Sequence, residues 1–465
     1  MMDFRGRRVT VVGLGIEGVD AVRFFVGRGA QVTVSDAKTP EQLAPRLAQI
    51  EGLPVRLSLG GNDPEVLCSS DYLFVSQGVP LDLPGIAEAR RRGVPLLSMM
   101  GLFLEMCPGV VAGITGSSGK TTTTALVGEM FRYEGLPHVV GGNIGVGLLD
   151  LLSRIRPYTW VVLEISHTQL QLTRHSPHVA AVLNITPNHL DRFTWDQYRE
   201  LKANIVRYQG PGDWAVLGYD CAESRALAER VASRPIFFSL EDVEGEGVFV
   251  RDGQAVWRCG GRRRRLFPLS AVRLRGQHNR QNALAAAAVA CACGLSPESI
   301  ARAVATFRGV EHRLELVATA GGVEYYNDSI ATTPERTLAG MRCFDQPLVL
   351  LLGGRDKHLP LDELAEEACR RCRAVVFFGE SGPKLREAVE KAAEGLPHDR
   401  RPALVSARDL EEAVAAAHRL ARPGDVVLLS PACTSFDAYE NFEERGRHFR
   451  ALVHALVGEG LPSPT

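Results

Sequence analysis

The sequence predicts an α/β protein of three successive domains. Three observations carry that expectation. Short apolar runs of strand length alternate with helical segments along the chain, the alternation restarts twice, and glycine-punctuated turns follow two of the runs. Continuous apolar strands suit parallel sheets covered on both faces, and alternation with helices builds βαβ units.

Residues 7–14 read as a buried strand that enters the turn Gly13-x-Gly15-x-x-Gly18, and 18–28 as the helix that follows. A second strand over 31–35 ends at Asp36, and another over 72–76 leads into Gln77-Gly78. A Pro108-Gly109 break marks the first boundary. Residues 110–115 then form an apolar strand ahead of Gly116-Ser117-Ser118-Gly119-Lys120-Thr121-Thr122, with a helix to about 133. Strands follow at 160–165 and 179–184, and an Ala-rich helix at 280–293. Ser296 caps the next helix, with Pro297 at its first position. Beyond 311 the alternation restarts, with strands at 323–327, 348–352, 374–378 and 425–430, a helix at 410–421 and a last helix at 439–457. The expected domains are 1–107, 108–311 and 312–465: a Rossmann-like N-terminal sheet, a P-loop-type ATPase core and a Rossmann-like C-terminal domain.

Length supports more than one core, since 465 residues exceed what one hydrophobic core fills. The 45% hydrophobic and 23% charged composition is that of a globular chain. A formal net charge of −1 gives no bulk field for nucleic acid or an anionic membrane. There is no apolar run of about 18 residues to span a bilayer, nor an export signal, so the cytoplasm is the expected location. The 10 cysteines are scattered. Cys369-x-x-Cys372 has metal-site spacing but no second pair and lies in an amphipathic segment, so it reads as structural. Cys291 and Cys293 read as core fillers, and Arg262 to Arg265 as a solvated hairpin edge.

The strongest local signal is Gly116-x-x-Gly119-Lys120-Thr121-Thr122 between strand and helix. Glycines let backbone N–H groups close around phosphate oxygens, and the helix N-terminus adds positive potential. Lys120 would add a point charge and Thr121 a hydroxyl for Mg²⁺. The commoner pattern has a glycine where Ile114 stands, so the loop is a short variant. Glu164 ends one strand, and His189 follows another across Thr186-Pro187-Asn188. Both are metal-ligand candidates, because ligands bind at the carboxyl ends of such strands. Against these stands a dinucleotide reading, in which Gly13, Gly15, Gly18 and Asp36 form a nucleotide fingerprint. A dinucleotide-dependent oxidoreductase is the alternative; no dyad for hydride transfer accompanies it.

Several stretches in order resemble the Mur ligase family: 115–122, Gly141-Gly142-Asn143-Ile144-Gly145, Leu163-Glu164-Ile165-Ser166, 184–191, 278–282, His312-Arg313-Leu314-Glu315, Asn327-Asp328-Ser329, Leu352-Gly353-Gly354 and Leu429-Ser430-Pro431-Ala432. The stretch 430–446 and the N-terminal glycine turn are most similar to its glutamate-adding members. The resemblance implies ATP-dependent ligation of D-glutamate to UDP-N-acetylmuramoyl-L-alanine through an acyl phosphate, in peptidoglycan precursor synthesis, with L-glutamate as alternative. It implies ATP contacts from 116–122, Asn282, Arg313 and Asp328. Two Mg²⁺ ions would be served by Thr121, Glu164, His189 and Lys202, the last as a carbamate, although by sequence alone Lys202 reads as a surface lysine. Substrate contacts are implied for Gly15, Ile16, Glu17, Asp36, Gly78 and Asn143, and glutamate contacts for Thr332, Lys357, Ser435 and Phe442. A monomer is expected. The chain departs from the pattern at Ile330, where many such enzymes carry Lys, and at His167-Thr168.

Overall fold

The computed structural model describes residues 2–142, 148–188, 192–357 and 359–458. Its strands fall into three sheets. The first holds five parallel strands in the order Val55–Leu59, Gln31–Asp36, Arg8–Val12, Tyr72–Val75 and Leu96–Leu97. Chain order reverses on either side of Arg8–Val12, which opens a crevice at its carboxyl end.

The second sheet has nine strands. From one edge they run His138–Gly142, Trp160–Glu164, Val110–Thr115, Val179–Val182, Trp214–Gly218, Arg234–Ser239 and Gly247–Arg251, all parallel. Gln254–Cys259 and Arg262–Pro268 then turn back as an antiparallel meander. The four arginines lie exposed on that last, edge strand, where charge discourages pairing with another chain. The Ala-rich helix begins at Gln277, and Ala283 to Ala290 are all buried. Small side chains bring it close to the helix Lys120–Glu134, whose Leu126, Val127, Met130 and Phe131 share its core.

The third sheet orders Glu315–Ala320, Val323–Asn327, Val426–Ala432, Leu348–Gly353, Cys372–Phe378 and Ala403–Ser406, antiparallel only in its first pair. Cys369 and Cys372 are buried in its core, whereas Cys291 and Cys293 are only half-buried. The last helix starts at Phe442, later than the sequence suggests, because Asn441 caps it by accepting from Glu444 N at 2.8 Å. Residues 1–273 and 277–307 form one compact unit, and 274–276 with 308–465 a second.

Candidate active site

In the second sheet, strand Val110–Thr115 leads through the glycine loop into the helix Lys120–Glu134. Gly119 has φ +83°, and a Cβ there would lie 2.2 Å from Asn282 Oδ1. Both facts demand glycine and place Asn282 over the loop. The next strand end braces it. Ser117 N donates to Asn184 O at 2.9 Å, Ser118 N to Asn184 Oδ1 at 3.0 Å, and Ser117 Oγ to Thr186 O at 3.1 Å.

Two lysines converge on this loop. Lys120 Nζ donates to Gly116 O at 2.9 Å and Lys202 Nζ to the same oxygen at 2.8 Å. Lys202 is only 1% exposed, which corrects its surface reading. Its helix Trp195–Arg207 turns it inward, over the Tyr198 ring at 4.9 Å. Burial, and then the Lys120 charge, push its pKa down to about 6. Above that pH it is an uncharged amine and therefore a nucleophile.

Glu164, 3% exposed, ends the strand beside Val110–Thr115, with Ile114 as its register partner. Thr121 is half-buried in the first turn of the loop helix. Carboxylate and hydroxyl are hard oxygen donors, which fits Mg²⁺. Among the described residues no three His, Cys, Asp or Glu side chains gather as a metal cluster. His189 and Asn143 lie outside the described residues.

At the first sheet, Gly13 has φ +88°, and a Cβ on Gly18 would meet Gly13 O at 2.1 Å, so helix and strand pack closely. Asp36 Oδ2 accepts from Leu14 N at 2.7 Å, and its Oδ1 from Lys38 N at 2.9 Å. The carboxylate thus ties the glycine turn to the second strand. Gly15 caps the helix, Ile16 is 56% exposed beside it, and Glu17 accepts from Gln77 N at 2.9 Å. Burial raises the Glu17 pKa, against that hydrogen bond. Gly78 is exposed. Gln77 Nε2 donates to Thr168 Oγ1 at 2.7 Å and so reaches from the first sheet to the second.

In the third sheet, Asp328 follows Val323–Asn327. It accepts from Ser430 Oγ at 2.8 Å and Leu314 N at 3.2 Å. Burial outweighs both bonds and raises its pKa to about 7. His312 and Leu314 have φ of 63° and 44°, so Arg313 sits between two left-handed residues. Thr332 and Lys357 meet at 3.4 Å, Ser435 is buried, and the Phe442 carbonyl accepts from Ser329 Oγ at 2.8 Å.

Sequence reasoning missed Arg445. It is fully buried and donates to Ser329 Oγ (3.0 Å), Ser329 O (2.9 Å), Cys433 O (3.2 Å) and Thr434 O (3.2 Å). One guanidinium thereby pins the chain leaving two neighbouring strands, and no carboxylate is among these partners. Burial lowers its pKa to about 10, which leaves it charged at neutral pH. The signal was available: Phe442, Arg445, Phe449 and Val453 fall on one helical stripe, an arginine where the pattern demands an apolar residue.

The fold and the glycine loop define a nucleotide-phosphate-binding α/β enzyme. Three family profiles match in order: "Mur ligase MurD-like, N-terminal domain" over 7–98, "Mur ligase middle domain" over 114–290 and "Mur ligase, glutamate ligase domain" over 312–433. A relative from Symbiobacterium thermophilum, named UDP-N-acetylmuramoylalanine--D-glutamate ligase, is 44% identical over 97% of this chain and 98% of its own length. One of the same name from Koribacter versatilis is 39% identical over 98% and 99%. Among solved structures, MurF from Acinetobacter baumannii has a TM-score of 0.58 at 20% identity, covering 96% of this chain and 93% of its own. The UDP-N-acetylmuramate-alanine ligase from Thermotoga maritima has 0.56 at 18%, covering 97% and 100%. The chain belongs to the Mur ligase family and is an ATP-dependent ligase.

Proposed function

We propose that this chain joins D-glutamate to UDP-N-acetylmuramoyl-L-alanine, at the expense of ATP, in peptidoglycan precursor synthesis. Full-length similarity to relatives named for that reaction carries the reading. A carboxylate is a poor electrophile. Its oxygen attacks the γ-phosphorus of ATP, ADP leaves, and an acyl phosphate results. The glutamate amine attacks the carbonyl carbon, phosphate leaves, and the amine gives up a proton.

In this scheme the loop 116–122 binds the phosphates, and Lys120 exchanges Gly116 O for phosphate oxygens as charge builds in transfer. Asn282, Arg313 and Asp328 hold the rest of ATP. Gly15, Ile16, Glu17, Asp36, Gly78 and Asn143 hold the UDP-bearing substrate, and Thr332, Lys357, Ser435 and Phe442 the glutamate. Thr121, Glu164 and His189 are the proposed Mg²⁺ ligands, at two sites, and the ions supply charge neutralisation on the phosphates. The neutral Lys202 amine is suited to carbamylation by CO₂, which would convert it to an oxygen ligand. The proposed domains are 1–107 for UDP, 108–311 for ATP and 312–465 for glutamate. The enzyme would act in the cytoplasm as a monomer; no helix among the described residues is long and apolar enough to cross a membrane.

Phosphate release from MgATP with UDP-N-acetylmuramoyl-L-alanine, with D- or L-glutamate in parallel, tests the reading. Turnover with D-glutamate alone is expected. Turnover with L-glutamate alone would overturn the stereochemical assignment, and turnover with neither the substrate assignment.

A further inference from the structure

An acidic amino acid carries two carboxylates, and a cationic side chain that pairs with each strengthens its selection. Lys357 is one candidate, exposed and 3.4 Å from Thr332 Oγ1. Position 330, two residues before Thr332, is an isoleucine and offers no charge. Arg336 lies on the first turn of the helix Pro334–Met341, which immediately follows this segment. Its Nη1 donates to Ile330 O at 3.3 Å, and Thr332 N donates to that same oxygen at 2.8 Å. The three-residue segment 330–332 therefore has an exposed guanidinium at one end and an exposed ammonium at the other. Among the described residues neither makes a salt bridge with an acidic side chain, and the Arg336 charge acts only at longer range on the Asp328 carboxylate. Arg336 follows the carboxyl end of Val323–Asn327 and Lys357 that of Leu348–Gly353, the ends at which ligands bind in open α/β sheets. The Ile330 carbonyl is a weak neutral acceptor, so exchange for a carboxylate favours Arg336.

We propose that Arg336 is the second carboxylate anchor of the amino-acid pocket, working opposite Lys357 in place of a charge at position 330. This rests on the proposed glutamate-ligase function. Arginine suits the task through its planar fork of donors, which can grip a carboxylate with two bonds.

The test is steady-state phosphate release by the full chain, varying D-glutamate, MgATP and UDP-N-acetylmuramoyl-L-alanine in turn. Arg336→Ala should raise KM for glutamate roughly tenfold or more, with kcat and the other two KM values within about twofold, as removal of uniform binding does. Arg336→Lys should recover part of the loss. The double variant Arg336→Ala with Ile330→Lys should recover it as well, by returning a cation to the segment that Arg336 reaches. Because Arg336 is exposed, an unchanged melting temperature would show that folding is intact. An unchanged glutamate KM in Arg336→Ala, or an equal rise in the ATP KM, would overturn the proposal while leaving the ligase reading standing. A wild-type chain inactive with either glutamate would overturn that reading first, and the anchor with it.

Discussion

The glycine loop of the second sheet and the strand-end loops of the third solve opposite electrostatic problems. In the second sheet two lysine nitrogens share one carbonyl, Gly116 O. In the third, one guanidinium is spread over several acceptors by Arg445. In the first arrangement Lys120 also reaches Ser117 O at 3.5 Å, and burial holds Lys202 neutral. In the proposed function a phosphate of ATP completes it. The second is already complete: the charge is consumed by carbonyls, and what it yields is fixed loop geometry. Buried basic side chains thus serve the proposed binding in one place and shape in the other.

The comparison breaks most sharply at Lys120. Lys120→Ala should lower phosphate release by about 10²–10³-fold, the usual cost of removing one group that stabilises developing charge, with little change in melting temperature. Arg445→Ala should do the reverse in kind. Unpaired buried carbonyls cost about 1–3 kcal/mol apiece, so with three of them a loss of about 3 kcal/mol or more is expected in urea unfolding of the C-terminal unit. Arg445→Lys should recover only part of it, because an ammonium has three donors for four acceptors. If Arg445→Ala unfolds as wild type does, the guanidinium is not a structural pin.

A smaller effect separates the two lysines by pH. The folded pKa of Lys202 lies near 6, below the unfolded value of 10.5. Between them the unfolded chain binds more protons, so stability rises with pH across that window. The penalty of burying Lys202 is full below about pH 6 and fades toward pH 10. Lys202→Met should therefore gain melting temperature over wild type more at pH 6 than at pH 9, while losing activity at both. An equal gain at both would show that the amine is not neutralised by folding. The smallest expected effect is at Asp328, whose pKa rises from 3.8 to about 7. Its contribution to stability is present below about pH 4 and is lost as pH rises through 7. Asp328→Asn should then compare more favourably with wild type at pH 8 than at pH 5, in thermal melts of the two proteins.

Much of the scaffold was legible because its signals are local. The strand Val110–Thr115 and the glycine turn carry their conformations in neighbouring residues, and the strand Val323–Asn327 falls where the apolar run places it. Of the edge meander only the arginine run was legible, as a solvated hairpin edge at Arg262 to Arg265; the strands Gly247–Arg251 and Gln254–Cys259 escaped notice, since they lack a strong apolar run. Gly119 was readable as a phosphate-loop glycine, yet that Asn282 crowds it depends on a helix more than 150 residues later.

By itself the sequence determined the α/β class, the phosphate loop, the acidic strand end at Glu164 and the family's ordered motifs, because each is written within a few adjacent residues. Only the tertiary structure decided that Lys202 is a buried amine rather than a surface ammonium, that Arg445 is consumed by backbone, and that Arg336 stands beside Ile330. Charge state and partner choice depend on solvent exclusion and on groups brought from distant strands, and neither is encoded at the position where the charged residue stands.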